Sequence, residues 1–492
     1  MTNQKKGEMK VASPTPHSRW SYKNIPYLVF AGLVFSLPFE RIPAVDTSIL
    51  GVSITMRLGL VFGALLILCG LLALRQKIAV FRDRVYVLLG AFIFVYFLAA
   101  LASGDLKRAL FVFVFTLFTA LIGASVSLVW NEGMAKKAHK ALVYATWIVL
   151  IFGFYQYVGD ILNLPGNLTG LRDIYTKAVF GFPRIQSVGL EPLYYANFLL
   201  LPLFYFGAKF LNGDDERPYL IALIVTQIVL TVSRGALIAG AVGLVTLLIL
   251  CARRARYTQT IGFIGLVLVG IAIGLNLTGV NANFNTSQNG NNNNPNQVVT
   301  AVVDQAINLN AQDDRVRNRD LAIQAFKTKP LLGIGPGNFN QFARDNYEGY
   351  RAGGGYVIVN NEPLELLAES GIIGFGLFLG FIGLLWWRIA KLAWLENGSE
   401  AGIWPSTIAA YLVAMAIQYQ TFSTLYIIHL WVLIGIALAL TTPGLRTLAA
   451  NSTLSIASSN IKKPKPTKES PKKKAKPKPS TRTEQQPAKK AQ

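Results

Sequence analysis

Arginine suits a diphosphate better than any other side chain, because its guanidinium is planar, permanently charged and able to donate paired hydrogen bonds. Arg234 lies in Ser233-Arg234-Gly235, a minimal turn between two apolar stretches. Arg315, Arg317 and Arg319 follow Asp313-Asp314 in a polar stretch, and Arg184 sits in Phe182-Pro183-Arg184-Ile185-Gln186. Gathered on one face, these groups would hold a diphosphate. Each also fits a plainer role. Arg234 would anchor to lipid phosphate, and Arg315 to Arg319 would pair with Asp313, Asp314 and Asp320 on a solvated helix face.

Carboxylates supply the complementary chemistry. Glu362, Glu365 and Glu369 are spaced i, i+3, i+7 and share a helix face. Pro363 suits the first helical position, with the acidic residues near the positive dipole end, and Gly371 is expected to end or hinge that helix. One of these groups would serve as general base for a hydroxyl nucleophile, although capping and a solvated stripe explain the spacing as well. Glu191, in Gly189-Leu190-Glu191-Pro192, is a second base or a sugar-hydroxyl ligand; an ion pair with Arg184 is the alternative. The run Pro330-Leu-Leu-Gly-Ile-Gly-Pro-Gly-Asn-Phe339 has three alternate glycines, which form either an anion-binding nest or a tight turn. It lacks the Lys-Ser/Thr of a P-loop. Of three histidines, only His429 falls near the arginines' side, and there a core or headgroup role is the simpler reading. Cys69 and Cys251 sit in apolar runs without metal-ligand spacing.

The elements that must position these groups are apolar helices. Hydrophobic residues make up 52% of the 492 and charged residues 15%, against about 25% charged in soluble domains. That excludes a soluble enzyme, a disulfide scaffold and a disordered chain. The fold class expected is all-α, a polytopic membrane bundle of about twelve transmembrane helices with a partly helical extracytoplasmic cap loop. The spans read near 25–39, 57–74, 85–103, 108–130, 141–163, 195–211, 218–232, 236–251, 260–280, 371–390, 403–420 and 424–441. Residues 1–24 form a cytoplasmic segment without a removable signal, 25–280 carry the first nine spans with an outer loop at 164–194, and 371–441 carry the last three. Between them, 281–370 form the cap, opening on an Asn-rich tract at 281–296 and continuing as a helix over 298–327. Lys/Arg-rich loops alternate with poorer ones, so both termini face the cytoplasm and the arginines above face outward. Of the net charge of +22, the stretch from Ile461 to Gln492 carries +10, from 11 Lys and 1 Arg against 2 Glu. Residues 442–492 therefore read as a disordered tail attracted to anionic membrane lipids rather than to nucleic acid.

In order, Ser233-Arg234-Gly235-Ala236 between paired spans, the glycine run ending at Phe339, and Asn360-Asn361-x9-Gly371-Ile-Ile-Gly374 resemble the O-antigen ligase and polymerase family, best over 195–440. The resemblance implies an envelope polysaccharide enzyme of the bacterial inner membrane. It would be a metal-independent glycosyltransferase with no cofactor, moving glycan from an undecaprenyl-type diphosphate to a sugar hydroxyl on a glycan or lipid acceptor. Glycan export machinery is a further expected partner. On this reading Arg184, Arg234, Asn360 and Asn361 bind the diphosphate, while Arg315, Arg319, Glu362 and Glu191 carry the chemistry. The ligases have His where this chain has Asn360, and Asn is no base near neutral pH. A polymerase-type or divergent member is therefore favoured, with the proton falling to Glu362, Glu191 or His429. The alternative is a small-anion transporter of the bicarbonate type, or a protein associated with such transport. Against it, no inverted repeat or paired broken helices are evident.

Overall fold

The computed structural model describes residues 24–41, 44–49, 52–180, 182–214, 217–278, 313–351, 356–396 and 400–445. The Asn-rich tract, the first half of the helix expected over 298–327, nearly all of the N-terminal segment and the tail beyond 445 lie outside them.

Every apolar stretch picked out above is helical. The helices are α1 (Ile25–Ser36), α2 (Leu58–Lys77), α3 (Arg84–Leu101), α4 (Leu106–Val129) and α5 (Glu132–Ile161). After short turns α6 (Gly166–Thr169) and α7 (Lys177–Phe180) come α8 (Pro192–Leu211), α9 (Tyr219–Thr231), α10 (Arg234–Cys251) and α11 (Tyr257–Leu277). The stretch expected as the cap contains α12 (Asp313–Thr328), α13 (Phe339–Asn346) and α14 (Glu348–Arg351). The chain returns through α15 (Glu362–Leu395), α16 (Ile403–Gln418) and α17 (Ile428–Thr441). Six of these, α3, α4, α5, α10, α11 and α15, are long and apolar enough to cross a membrane.

Capping explains two boundaries that hydropathy missed. The Asn131 carboxamide accepts from the Met134 amide at 3.1 Å, so α5 starts nine residues before the apolar run and carries Lys136, Lys137 and Lys140 on its first turns. Likewise Asn361 caps α15 by accepting from Leu364 N at 3.0 Å, which puts Pro363 second in the helix rather than first. Within the membrane-type core, α10 packs along α16, α11 along α9, and α17 along α4. The α9–α11 contact depends on Gly270 and Gly274, where a Cβ would stand 2.6 Å from the Ala222 carbonyl and from Val229 Cβ. Small residues four apart let two backbones close up.

One element departs from the all-α expectation. Residues Ala44–Ile49 (β1) and Val52–Arg57 (β2) pair antiparallel, Ala44 opposite Arg57 and Ile49 opposite Val52. Val-Asp-Thr-Ser-Ile and Val-Ser-Ile-Thr-Met alternate with period two around Leu50-Gly51, a hairpin signal that a search for long apolar runs passes over.

The glycine run and the Gly371 hinge prove to be one structure. Gly371 has φ 65° and breaks α15 into two segments, which leaves carbonyls before the break and amides after it without helical partners. The Ile334 and Gly335 amides donate to the Ala368 and Glu369 carbonyls at 2.9 and 3.0 Å, and Ile372 N and Ile373 N donate to the Pro330 and Leu331 carbonyls at 2.9 and 3.4 Å. Gly333, Gly335 and Gly337 all have positive φ (73°, 99°, 69°), the conformation that lets so tight a turn lie against another backbone. Above this joint α12 packs on α15 through Leu321, Ala322, Ala325, Ile334, Phe339 and Ala368.

Candidate functional site

Local structure carries Arg184 to Arg234. The α9 helix ends at Val232, whose φ of 49° is left-handed, and Arg234 is the first residue of α10. Arg184 Nε donates to the Thr231 carbonyl at 3.2 Å and Nη2 to the Val232 carbonyl at 3.5 Å, while Ile185 N donates to Leu230 O. Arg184 thus satisfies the C-terminal carbonyls of α9, and the turn that it caps leads directly into Arg234. Tyr175 lies beneath its guanidinium, 5.6 Å from ring to charge.

From the cap, α12 brings two more. Arg315 and Arg319 are one helical turn apart and share a face, whereas Arg317 points elsewhere, pairing with Asp314 at 2.6 Å and stacking 4.3 Å over Tyr347. Among the described residues, then, Arg317 alone of the three takes the solvated-pair role. Arg319 Nη2 donates to the Gln420 carbonyl at 3.3 Å, at the end of α16. The same corner packs on Arg234's turn, since a Cβ at Gly235 would meet Gln418 and Thr421.

Arg184, Arg234, Arg315 and Arg319 consequently lie within electrostatic range of one another in a chain: Arg184 beside Arg234, Arg234 beside Arg315, Arg315 beside Arg319. Arg315 keeps contact with solvent, yet loss of hydration first, and then the charges of Arg234 and Arg319, hold its guanidinium below the ordinary arginine value. Burial does the same to Arg184, opposed by Tyr175 and Glu191 and reinforced by Arg234. Among the described residues Arg234 and Arg315 make no hydrogen bond or ion pair. Mutually repelling cations of this kind are relieved by an anion bound among them. Glu191, at the N-cap position of α8 with no side-chain capping bond, stands within range of Arg184 and Tyr175.

The other residues singled out go elsewhere. Glu362, 7% exposed, and Glu369, 4% exposed, stack with Glu365 on one side of α15. The Glu362 carboxylate accepts from the Thr424 amide, and the charges nearest it are Glu365 and Glu369 rather than the four arginines. Glu369 accepts from the amides of Gly337 and Phe339. The glycine run does form an anion nest, and the chain's own carboxylate fills it. Asn361 is committed to its cap and to the α16–α17 corner, donating to Gln420 O and Oε1 at 3.3 Å. Its neighbour Asn360 takes a left-handed backbone, φ 56°.

Several participants escaped the sequence reading. Arg108 donates to the Gly337 carbonyl at 2.8 Å, stacks 4.0 Å over Tyr356 and is the cation facing Glu365 and Glu369. Arg172 stands beside Tyr175 and Arg41 at the edge of the arginine group. No motif marks either one. Among the described residues no three His, Cys, Asp or Glu side chains are arranged to hold a metal ion.

Residues 219–379 match the family model described as O-antigen ligase. The stretch runs from α9 through the Arg234 turn and the cap into α15, and over it the resemblance read from the sequence is borne out. The O-antigen ligase match therefore takes in Arg234, Arg315, Arg319 and the Glu362–Glu369 stack, while Arg184 and Glu191 come from outside it. No curated protein matches the chain.

Proposed function

We propose that this chain is a membrane glycosyltransferase of polymerase or ligase type, drawing its glycan from a polyprenyl-diphosphate carrier on the outer face of a bacterial inner membrane. It would cross that membrane about twelve times with both termini cytoplasmic. The observation that carries the reading is that Arg184, Arg234, Arg315 and Arg319, from three segments distant in sequence, lie within electrostatic range of one another.

In the reaction an acceptor hydroxyl oxygen bonds to the anomeric carbon from the face opposite the diphosphate. The bond from that carbon to the diphosphate oxygen breaks, and its electron pair stays with the leaving group. Charge grows on the diphosphate as this happens, so guanidiniums fixed there beforehand lower the barrier more than they favour ground-state binding. Arg184 and Arg234 would hold the diphosphate, and Arg315 with Arg319 would close on it from the cap. The hydroxyl proton would leave to Glu191, which lies beside Arg184. Glu362 lies in the carboxylate stack and would position the α16–α17 corner instead.

The test is glycan length in cells and transfer by purified protein, with Arg234→Ala and Arg315→Ala. Loss of an oxyanion-type contact lowers turnover by about 10²–10³; normal polymer from both variants would end the proposal.

A further inference from the structure

A cavity lies at the same end of the bundle as the arginines. It is about 300 Å³, at the small end of ligand pockets and enough for about one sugar ring. The end of α1, the start of α2, the second to fourth turns of α4, the first turn of α8 and the segment running into the start of α17 form its walls. The rings of Tyr194, Phe115 and Tyr426 are among its lining, and its polar lining residues are Glu40, Arg57 and His429 together with Ser36, Thr119 and Thr424. Glu40 accepts from the Leu190 amide, yet its Oε2 atom, Arg57 Nε and His429 Nε2 are buried without hydrogen-bond partners among the described residues. His429 itself is 1% exposed.

An unsatisfied buried acceptor and donor are each costly, and their mixture selects the ligand. An anion would meet Glu40, a cation would meet Arg57, and a hydrocarbon chain would leave all three groups unpaired. A neutral molecule carrying both donors and acceptors satisfies them together. A pyranose does so, with hydroxyls for the polar groups and a C–H face for the aromatic rings. The position fits the reading above, on which this inference rests. Tyr194 in the cavity and Glu191 beside Arg184 are i, i+3 on the first turn of α8, so the two sites flank one helical turn.

We propose that this cavity binds a neutral sugar ring of the acceptor glycan, held by Glu40, Arg57 and His429 against the Tyr194 and Tyr426 rings.

The experiment uses the full chain in phospholipid nanodiscs, free of glycoside detergents. Saturation-transfer NMR is recorded with methyl glucoside, methyl galactoside and methyl N-acetylglucosaminide. Wild type should give transfer from at least one glycoside. Leu60→Trp, which fills the cavity, should cut it at least tenfold, and the isosteric Glu40→Gln should weaken it severalfold even if the larger substitution misfolds. Arg234→Ala should leave it intact. No transfer from wild type, undiminished transfer in both cavity variants, or loss only in Arg234→Ala would overturn the proposal. So would native mass spectrometry showing a polyprenyl chain that wild type retains and Leu60→Trp loses. Absence of any bound polyprenyl diphosphate from wild type would count against the transferase reading, and the glycoside result would stand or fall separately.

Discussion

Replacing Gly371 by Ala tests whether the broken helix and the glycine turn are one joint. A left-handed φ costs a residue with a Cβ about 1–2 kcal/mol, and at Gly371 that Cβ would also run into the Leu331 carbonyl. Relief requires the 330–335 turn to move away from α15. If two of the four hydrogen bonds across the joint part, each worth about 0.5–1.5 kcal/mol, the total loss is about 2–5 kcal/mol. Gly376 is the internal control, since it lies in the same helix with nothing within 4 Å of a built Cβ. Ala there should be neutral, or stabilising by up to about 1 kcal/mol. Reversible unfolding by SDS titration from mixed phospholipid–detergent micelles measures both. If Gly371→Ala and Gly376→Ala unfold at the same SDS fraction, the joint contributes nothing and the argument fails.

Burial pushes the Glu40 carboxyl up to about 7 against the opposing effects of Arg57 and the Leu190 amide. Because the folded value is raised, the group costs nothing below about pH 4.5; its penalty builds as pH rises from there towards 7 and is complete above it, at about 3 kcal/mol at most. Glu40→Gln should therefore match wild type at pH 4.5 and exceed it in stability at pH 8; equal stability at both would refute the assignment. Removing the cation near the carboxylate stack, by Arg108→Met, should cost about 1.5–3 kcal/mol, chiefly its charged hydrogen bond to the Gly337 carbonyl. Adding Glu369→Gln should recover part of that loss, with a coupling of about 1 kcal/mol or more in a double-mutant cycle, and strict additivity would contradict the contact.

Hydropathy alone located the helices, because a membrane core demands long apolar runs and little else. Gly371 was readable as a hinge from its position before an apolar run, and Arg234 as a turn residue from its two neighbours. What holds them was not readable. Arg184 reaches Arg234 through the spent carbonyls of α9, a capping interaction with no sequence signature. Arg108 meets Gly337 across 229 positions. Glu40, Arg57 and His429 come from three elements, and singly each looks like a stray polar residue near a helix end. Hydropathy also misjudges helix starts such as Asn131 and Asn361, where a polar cap rather than an apolar residue sets the boundary.

The bend between α16 and α17 serves both halves of the site. Gln420 receives Arg319 and Asn361, Ser423 receives the Asn361 amide, and the Tyr419 and Phe422 carbonyls receive the Glu362 amide. Thr424 then reaches the Glu362 carboxylate on one side and the sugar-sized cavity on the other. A handful of atoms in this bend thus acts as a common datum for the arginine side and for the cavity. On the function proposed above, variation in residues 313–351 or along the cavity wall would retune which glycan is gripped without disturbing the alignment of one substrate to the other. A shift in the bend itself would throw both out of register at once.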